Sequence, residues 1–141
     1  AVVGIVGMGQ VGRAIAQRLQ GFNCSRVLGS DVVAATVPGV QPVTLAQALA
    51  DSEFLFVAAP LTDRNRHMLG EAEWRSCRSG QFVINVGRGS VVDERAIAGA
   101  LQTGRLGGYA ADVFEFEDWG RADRPEGIDP LLLAAPNTLF T

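Results

Sequence analysis

Short apolar runs alternate with helix-like patterns along most of the chain. The apolar runs predict strands at residues 2–6, 26–28, 53–58, 82–86, 108–113 and 138–140. Between them, apolar residues recur at helical spacing and predict helices at residues 11–19, 45–49, 71–76 and 94–101. This alternation is typical of βαβ units. The chain is therefore predicted to form a doubly wound α/β fold, in which helices cover both faces of a parallel sheet.

Residues 115–130 interrupt the alternation with acids and turn-forming residues, so we expect a loop with one helical turn there. The length of 141 residues is that of one domain. The chain opens and closes inside predicted strands, whereas the termini of whole domains usually lie at the surface. We therefore expect residues 1–141 to be one domain, truncated at both ends, of a longer protein.

The composition is typical of a globular protein, with 48% hydrophobic and 19% charged residues. A net charge of −3 offers no basic surface for nucleic acid, and no apolar stretch is long enough for a membrane span. Cys24 and Cys77 lack the spacing of a metal or redox site. We therefore expect reduced thiols, no metal site and a cytoplasmic location.

A glycine-rich loop follows the first predicted strand. Gly7, Gly9 and Gly12 form the pattern G-x-G-x-x-G around Gln10 and Val11, and the first helix begins there. Such glycines allow a tight turn, close approach of a pyrophosphate to the backbone, and close packing of helix on strand. The free N–H groups of the helix N-terminus favour phosphate. The loop predicts a dinucleotide cofactor and a Rossmann-type fold.

An aspartate follows the second predicted strand. Asp31 lies nineteen residues beyond Gly12, where a carboxylate can accept both ribose hydroxyls of adenosine and would repel a 2′-phosphate. Val32 and Val33 follow it, so no arginine is present to bind that phosphate. The pattern favours NAD over NADP. A plain turn residue is the alternative for Asp31.

An arginine between two glycines follows the strand predicted at residues 82–86. The loop at residues 85–90 reads N-V-G-R-G-S and places Arg88 at the carboxyl edge of the sheet, where open α/β folds bind ligands. The planar guanidinium offers paired donors to carboxylate or phosphorus oxyanions. Arg88 is therefore the candidate anion-binding residue, and a surface arginine in a glycine turn is the alternative.

Acidic residues lie at the end of the strand predicted at residues 108–113. Asp112 is placed to face a nicotinamide, and Glu115 and Glu117 follow it towards the cleft. One of these glutamates could orient a catalytic histidine and raise its basicity, while a solvated acidic loop is the alternative. His67 is the only histidine, and its place in a loop before a helix does not favour a role as catalytic base.

These motifs together resemble the NAD-binding domain of the D-isomer-specific 2-hydroxyacid dehydrogenases. The resemblance covers essentially the whole chain, from the glycine loop through P-L-T at residues 60–62 to the segments 85–94 and 107–117. It implies NAD as cofactor, a small-molecule substrate, a homodimer and a separate substrate domain that this chain lacks. The cofactor-binding residues that it implies are Gly7, Gly9, Gln10, Val11, Gly12, Asp31, Pro60, Val86, Gly87, Arg88 and Asp112.

Within that family, the segments 88–94, 106–115 and 117–130 resemble phosphite (phosphonate) dehydrogenase. The family usually has a proline after its second glutamate, whereas Asp118 and Trp119 follow here, with an insert of arginines and aspartates up to residue 125. The resemblance implies oxidation of phosphite to phosphate with reduction of NAD.

The resemblance also implies roles for two catalytic residues. Arg88 would bind the phosphite oxyanion, and Glu117 would pair with a catalytic histidine expected within a Pro-His pair directly after Thr141. Gly87 stands where the family has cysteine or alanine, and we expect it to loosen the loop slightly. Without that histidine and a substrate domain, we expect the chain alone to bind NAD weakly and to show no turnover.

Two other functions are open. A dehydrogenase acting on a 2-hydroxy or 2-keto acid, such as glyoxylate, hydroxypyruvate or a glycerate phosphate, could use Arg88 equally well, because its substrate carries a carboxylate. An NAD-sensing corepressor on the same fold is a function of another class, in which the nucleotide would control dimerisation.

Overall fold

The computed structural model describes residues 1–33 and 36–141. Its strands form one parallel sheet in the order β3-β2-β1-β4-β5-β6-β7. The strands are β1 (Val2–Val6), β2 (Arg26–Ser30), β3 (Gln41–Pro42), β4 (Phe54–Val57), β5 (Gln81–Asn85), β6 (Leu106–Ala111) and β7 (Thr138–Phe140). The helices are α1 (Gln10–Leu19), α2 (Leu45–Asp51), α3 (Glu71–Ser76), α4 (Glu94–Gln102) and α5 (Pro130–Leu133).

The strand order reverses at β1. From this strand the chain builds outwards to β2 and β3 on one side, and then to β4 and the later strands on the other side. Loops leave the carboxyl ends of β1 and β4 in opposite directions, which opens a crevice where open α/β sheets bind their ligands. The glycine loop after β1 lies at this position.

Helices cover the sheet on both faces because successive strand residues point to opposite faces. Ile5 of β1 packs with Ala16 of α1 on one face. Its neighbour Val6 belongs to the larger core on the other face. The helices α2, α3, α4 and α5 contribute to that larger core Leu49, Trp74, Ile97 and Leu132.

The face that α1 covers remains open over the later strands. Phe54 of β4 and Phe82 of β5 stack there with ring centroids 5.5 Å apart, yet they are 39% and 46% exposed. Leu139 of β7 is 65% exposed. Across residues 1–33 and 36–141, none of the helices has both the length and the apolar character that a membrane span requires.

The predicted parallel α/β fold is confirmed, with boundaries that shift by one or two residues. The strands β5 and β6 begin and end earlier than predicted, so Val86 and Asp112 lie just beyond them. The two-residue strand β3 has no counterpart in the sequence pattern, because a glutamine and a proline carry no strand signal. The polar segment contains a 3-10 turn, Glu115–Glu117, before it reaches α5.

Candidate functional site

The carboxyl ends of the parallel strands bring the predicted cofactor residues to one edge of the sheet. The loops that leave β1, β2, β4, β5 and β6 at this edge carry, in that order, residues 7–12, Asp31, Pro60, residues 86–88 and Asp112. This is the edge on which the sequence analysis places the cofactor and the substrate.

The three glycines of the first loop differ in what a side chain would meet. Gly7 has φ +93°, and a Cβ built there would lie 2.6 Å from the backbone nitrogen of Ala59. A Cβ at Gly12 would lie 1.9 Å from the carbonyl oxygen of Gly7. At Gly9 a Cβ meets nothing within 4 Å. Gly7 and Gly12 thus allow close packing, while the space beside Gly9 before α1 is open, at the position where such loops bind a pyrophosphate.

Asp31 lies beside this loop, as the ribose role requires. Its side chain is exposed, and its two carboxylate oxygens accept from the N–H groups of Met8 at 2.5 Å and Val33 at 3.1 Å. Arg13, the residue after Gly12, donates from Nε to the Met8 carbonyl oxygen at 3.0 Å. Arg13 therefore braces the loop, a role that no motif in the sequence signals.

The loops after β1, β4 and β5 converge on Ala59. Gly87 is buried there, and a Cβ on it would lie 2.5 Å from the Ala59 carbonyl oxygen. The Gly87 N–H donates to Asn85 Oδ1 at 3.1 Å. The expectation that Gly87 loosens this loop is therefore corrected: the close packing on Ala59 requires glycine, and a hydrogen bond holds it.

Asn85 shapes the loop at residues 85–90, although no motif in the sequence points to this role. It is fully buried, and besides holding Gly87 it donates from Nδ2 to the Arg88 carbonyl oxygen at 3.2 Å. The same amide nitrogen lies 3.5 Å from the Tyr109 hydroxyl. Burial raises the pKa of Tyr109, so its phenol stays neutral beside the amide.

Arg88 reaches out from this fixed backbone. Its side chain is exposed, and Nη1 donates to the Gly87 carbonyl oxygen at 2.9 Å. Of the ion pairs formed within residues 1–33 and 36–141, none includes Arg88. Its positive charge is therefore not neutralised by a carboxylate, as an anion-binding residue requires.

Glu117 and Asp112 are both exposed near the carboxyl end of β6. Glu117 Oε2 accepts from the Phe114 N–H at 2.9 Å, which closes the 3-10 turn. Asp112 accepts from the Thr141 hydroxyl at 2.5 Å, while the Thr141 N–H donates to the Ala111 carbonyl oxygen at 3.1 Å. These two hydrogen bonds join the carboxyl ends of β6 and β7.

His67 pairs with Glu115, not with Glu117. Its Nε2 lies 2.9 Å from Glu115 Oε2, and its Nδ1 lies 3.6 Å from Asp93 Oδ2. The Glu115 N–H donates to Glu94 Oε1 at 2.8 Å, and burial raises the pKa of the Glu94 carboxyl. These contacts tie the loop before α3 to the start of α4, which is a structural role for His67.

A family model for the NAD-binding domain of the D-isomer specific 2-hydroxyacid dehydrogenases matches residues 1–141. The chain belongs to this family. Its cofactor is NAD, and the dehydrogenases of the family are oxidoreductases. The glycine loop and Asp31 agree with that cofactor, because they provide the open backbone and the carboxylate that NAD needs.

The chain is similar to curated reductases of the same family. It is 43% identical over 120 residues to glyoxylate/hydroxypyruvate reductase A of Arabidopsis thaliana, which covers 82% of this chain and 37% of that protein. It is 36% identical over 141 residues to glyoxylate/hydroxypyruvate reductase B of Yersinia pestis, which covers 97% of this chain and 41% of that protein. The chain thus spans about two fifths of these relatives.

Solved structures of the family share its fold. The NAD complex of a D-isomer specific 2-hydroxyacid dehydrogenase from Lactobacillus delbrueckii ssp. bulgaricus superposes with a TM-score of 0.84 at 25% identity, over 99% of this chain and 45% of that one. A glyoxylate reductase from Paecilomyes thermophila gives a TM-score of 0.86 at 27% identity, over 99% and 40% of the two chains.

Proposed function

We propose that this chain is the NAD-binding domain of an enzyme that oxidises phosphite to phosphate and reduces NAD. The observation that carries the proposal is the exposed guanidinium of Arg88, free of ion pairs within the described residues, on the edge that also carries the glycine loop and Asp112. A phosphite oxyanion matches the paired donors of such a guanidinium.

The proposed reaction converts phosphite, water and NAD⁺ into phosphate, NADH and a proton. Phosphorus loses its hydrogen as a hydride and gains an oxygen from water, while bound NAD supplies the hydride acceptor. Arg88 would hold the oxyanion, and Asp112 would bind the nicotinamide carboxamide. Glu117 would orient the histidine expected after Thr141. Holding both reactants in one cleft raises their effective concentration, which for well-oriented groups reaches on the order of 10⁵ M or more.

The segment after Glu117 supports phosphite as the substrate. The sequence at residues 118–125, which contains several arginines and aspartates, resembles that of phosphite dehydrogenase. It differs from the general family pattern. Asp118 also contacts the loop that carries Arg88, because it accepts from the N–H of Ser90 at 2.9 Å. The part of the sequence that differs from the general pattern thus lies against the anion-binding loop.

A 2-hydroxy acid is the second candidate substrate. The relatives above are named glyoxylate/hydroxypyruvate reductases, and a carboxylate fits Arg88 as well as phosphite does. Whichever substrate is used, we propose that the full gene product forms a homodimer. Sedimentation should then give a mass of two chains.

The substrate is tested on the full gene product by following NADH formation with phosphite and with a panel of D-2-hydroxy acids. We expect saturable reduction of NAD with phosphite. Activity with a hydroxy acid alone would keep the family and the cofactor but overturn phosphite as substrate. If neither class reacts and NAD instead drives dimerisation, the NAD-sensing function is favoured.

A further inference from the structure

A buried polar cluster joins the Arg88 loop to the segment after Glu117. Its centre is Ser90, which is fully buried two residues beyond Arg88. The N–H and the hydroxyl of Ser90 both donate to Asp118 Oδ2, and Arg121 Nη1 donates to the Ser90 hydroxyl oxygen at 2.9 Å. The hydroxyl is thus both donor and acceptor, so its orientation is fixed.

The outer part of the cluster holds the segment in place. Asp123 bridges two arginines, Arg121 at 2.9 Å and Arg66 of the loop after β4 at 3.2 Å. The Arg124 guanidinium lies over the Trp119 ring, 4.2 Å from its centroid. Residues 118–125 are therefore folded against the loop at residues 85–90, and they do not extend into solvent as their composition suggests.

The cluster fixes the backbone of Arg88 from one side, and Asn85 fixes it from the other. The Asn85 amide binds the Arg88 carbonyl oxygen at 3.2 Å. Beyond Arg88, the Ser90 N–H is held by Asp118. Asp118 is nearly buried, and a buried carboxylate is stable only where hydrogen bonds satisfy it. A proline, which the family pattern has after its second glutamate, would offer Ser90 no side-chain acceptor.

We propose that Asp118 is a positioning residue, which acts through Ser90 to orient Arg88 towards the anion. The proposal rests on the proposed role of Arg88 as the anion-binding residue. Asp118 itself need not touch the substrate, because its carboxylate is used by Ser90. Its loss would therefore weaken anion binding more than NAD binding, because the glycine loop and Asp31 do not depend on Asp118.

The test compares Asp118→Ala and Asp118→Asn in the full gene product with a matched control, Glu126→Gln. Glu126 is an exposed acid in the same loop, and it takes no part in the hydrogen bonds of the cluster. We expect Asp118→Ala to lower kcat/KM for the anion on the order of 100-fold, since misplacing a binding group by about 1 Å has this effect. Asp118→Asn keeps one acceptor oxygen and should lose less, and in every variant the KM for NAD should change less than kcat/KM for the anion.

Amide hydrogen exchange of residues 86–92 gives a second readout that needs no turnover, and Ser90→Ala serves if Asp118→Ala does not fold. Exchange should be faster in the Asp118 and Ser90 variants than in Glu126→Gln. If the enzyme uses a hydroxy acid, phosphite fails as substrate, but the same comparison with that acid still tests Asp118. Equal kcat/KM and equal exchange in the Asp118 variants and Glu126→Gln would overturn the proposal.

Discussion

Gly9 directly precedes α1 and Gly12 lies in its first turn, and a methyl group should affect these two positions differently. At Gly12 the Cβ would lie 1.9 Å from a carbonyl oxygen, so Gly12→Ala must displace backbone. We expect it to lower the free energy of unfolding by about 1–3 kcal/mol and to abolish NAD binding. At Gly9 the Cβ meets open space, so Gly9→Ala should leave stability unchanged but weaken NAD binding.

The matched control for these substitutions is Gly99→Ala in α4. A Cβ there also meets nothing within 4 Å, and alanine favours a helix interior over glycine by about 0.5–1 kcal/mol. Gly99→Ala should therefore stabilise the chain and leave NAD binding unchanged. Urea unfolding and NAD titration by calorimetry measure both quantities. A Gly12→Ala chain as stable as the wild type would contradict the described packing of the loop.

Among the secondary-structure elements, the side chain of Glu94 links α4, the 3-10 turn and the start of α5. Glu94, in the first turn of α4, accepts from the Glu115 N–H of the 3-10 turn at 2.8 Å and from the Asp129 N–H before α5 at 2.9 Å. Burial raises the pKa of this carboxyl above its ordinary value of 4.5. Between the pKa of the unfolded chain and the raised pKa of the folded state, the folded chain therefore keeps a proton that the unfolded chain releases.

The raised pKa of Glu94 determines how the free energy of unfolding changes with pH. The stability that Glu94 contributes is fully present below about pH 4.5 and decreases as the pH rises through the raised pKa of the folded state. We compare the free energy of unfolding of the wild type with that of Glu94→Gln. We expect the difference between them to shift against the wild type as the pH rises from about pH 4 to about pH 7. Urea unfolding at both pH values measures it, and an identical difference would contradict the shift.

Elements that depend on local pattern were predictable from the sequence, whereas pairings between distant elements were not. All the strands except β3, and the glycine loop, follow from apolar runs and from glycine spacing, and the structure places them within one or two residues. His67 meets Glu115 across 48 residues, and Ser90 meets Asp118 across 28. No local signal selects Glu115 over Glu117 as the partner of His67, because both are acids in one short turn.

At the scale of the whole molecule, NAD should stabilise the 141-residue chain. A ligand that binds only the folded state at 100 times its dissociation constant adds about 2.7 kcal/mol to the unfolding free energy. We expect NAD to raise the Tm by several degrees. NADP should raise it less, because the exposed carboxylate of Asp31 repels a 2′-phosphate.

Scanning calorimetry with each dinucleotide measures these shifts, with Gly9→Ala as the variant that should lose them. An equal rise of the Tm with NAD and NADP would contradict the role of Asp31. No rise with either dinucleotide would contradict the claim that this edge of the sheet binds the cofactor. The chain spans about two fifths of its reductase relatives, and we propose that turnover requires the full gene product.

The most direct measurement is kcat/KM for phosphite in the full gene product, compared among the wild type, Arg88→Lys and Arg88→Ala. Arg75→Ala is the matched control, because this exposed arginine pairs with Glu71 away from the cofactor edge. We predict that Arg88→Ala loses on the order of 100-fold or more, that lysine restores part of it as a single point charge, and that Arg75→Ala retains full activity. Undiminished phosphite oxidation by Arg88→Ala, or a wild type that reduces NAD only with a hydroxy acid, would contradict this account.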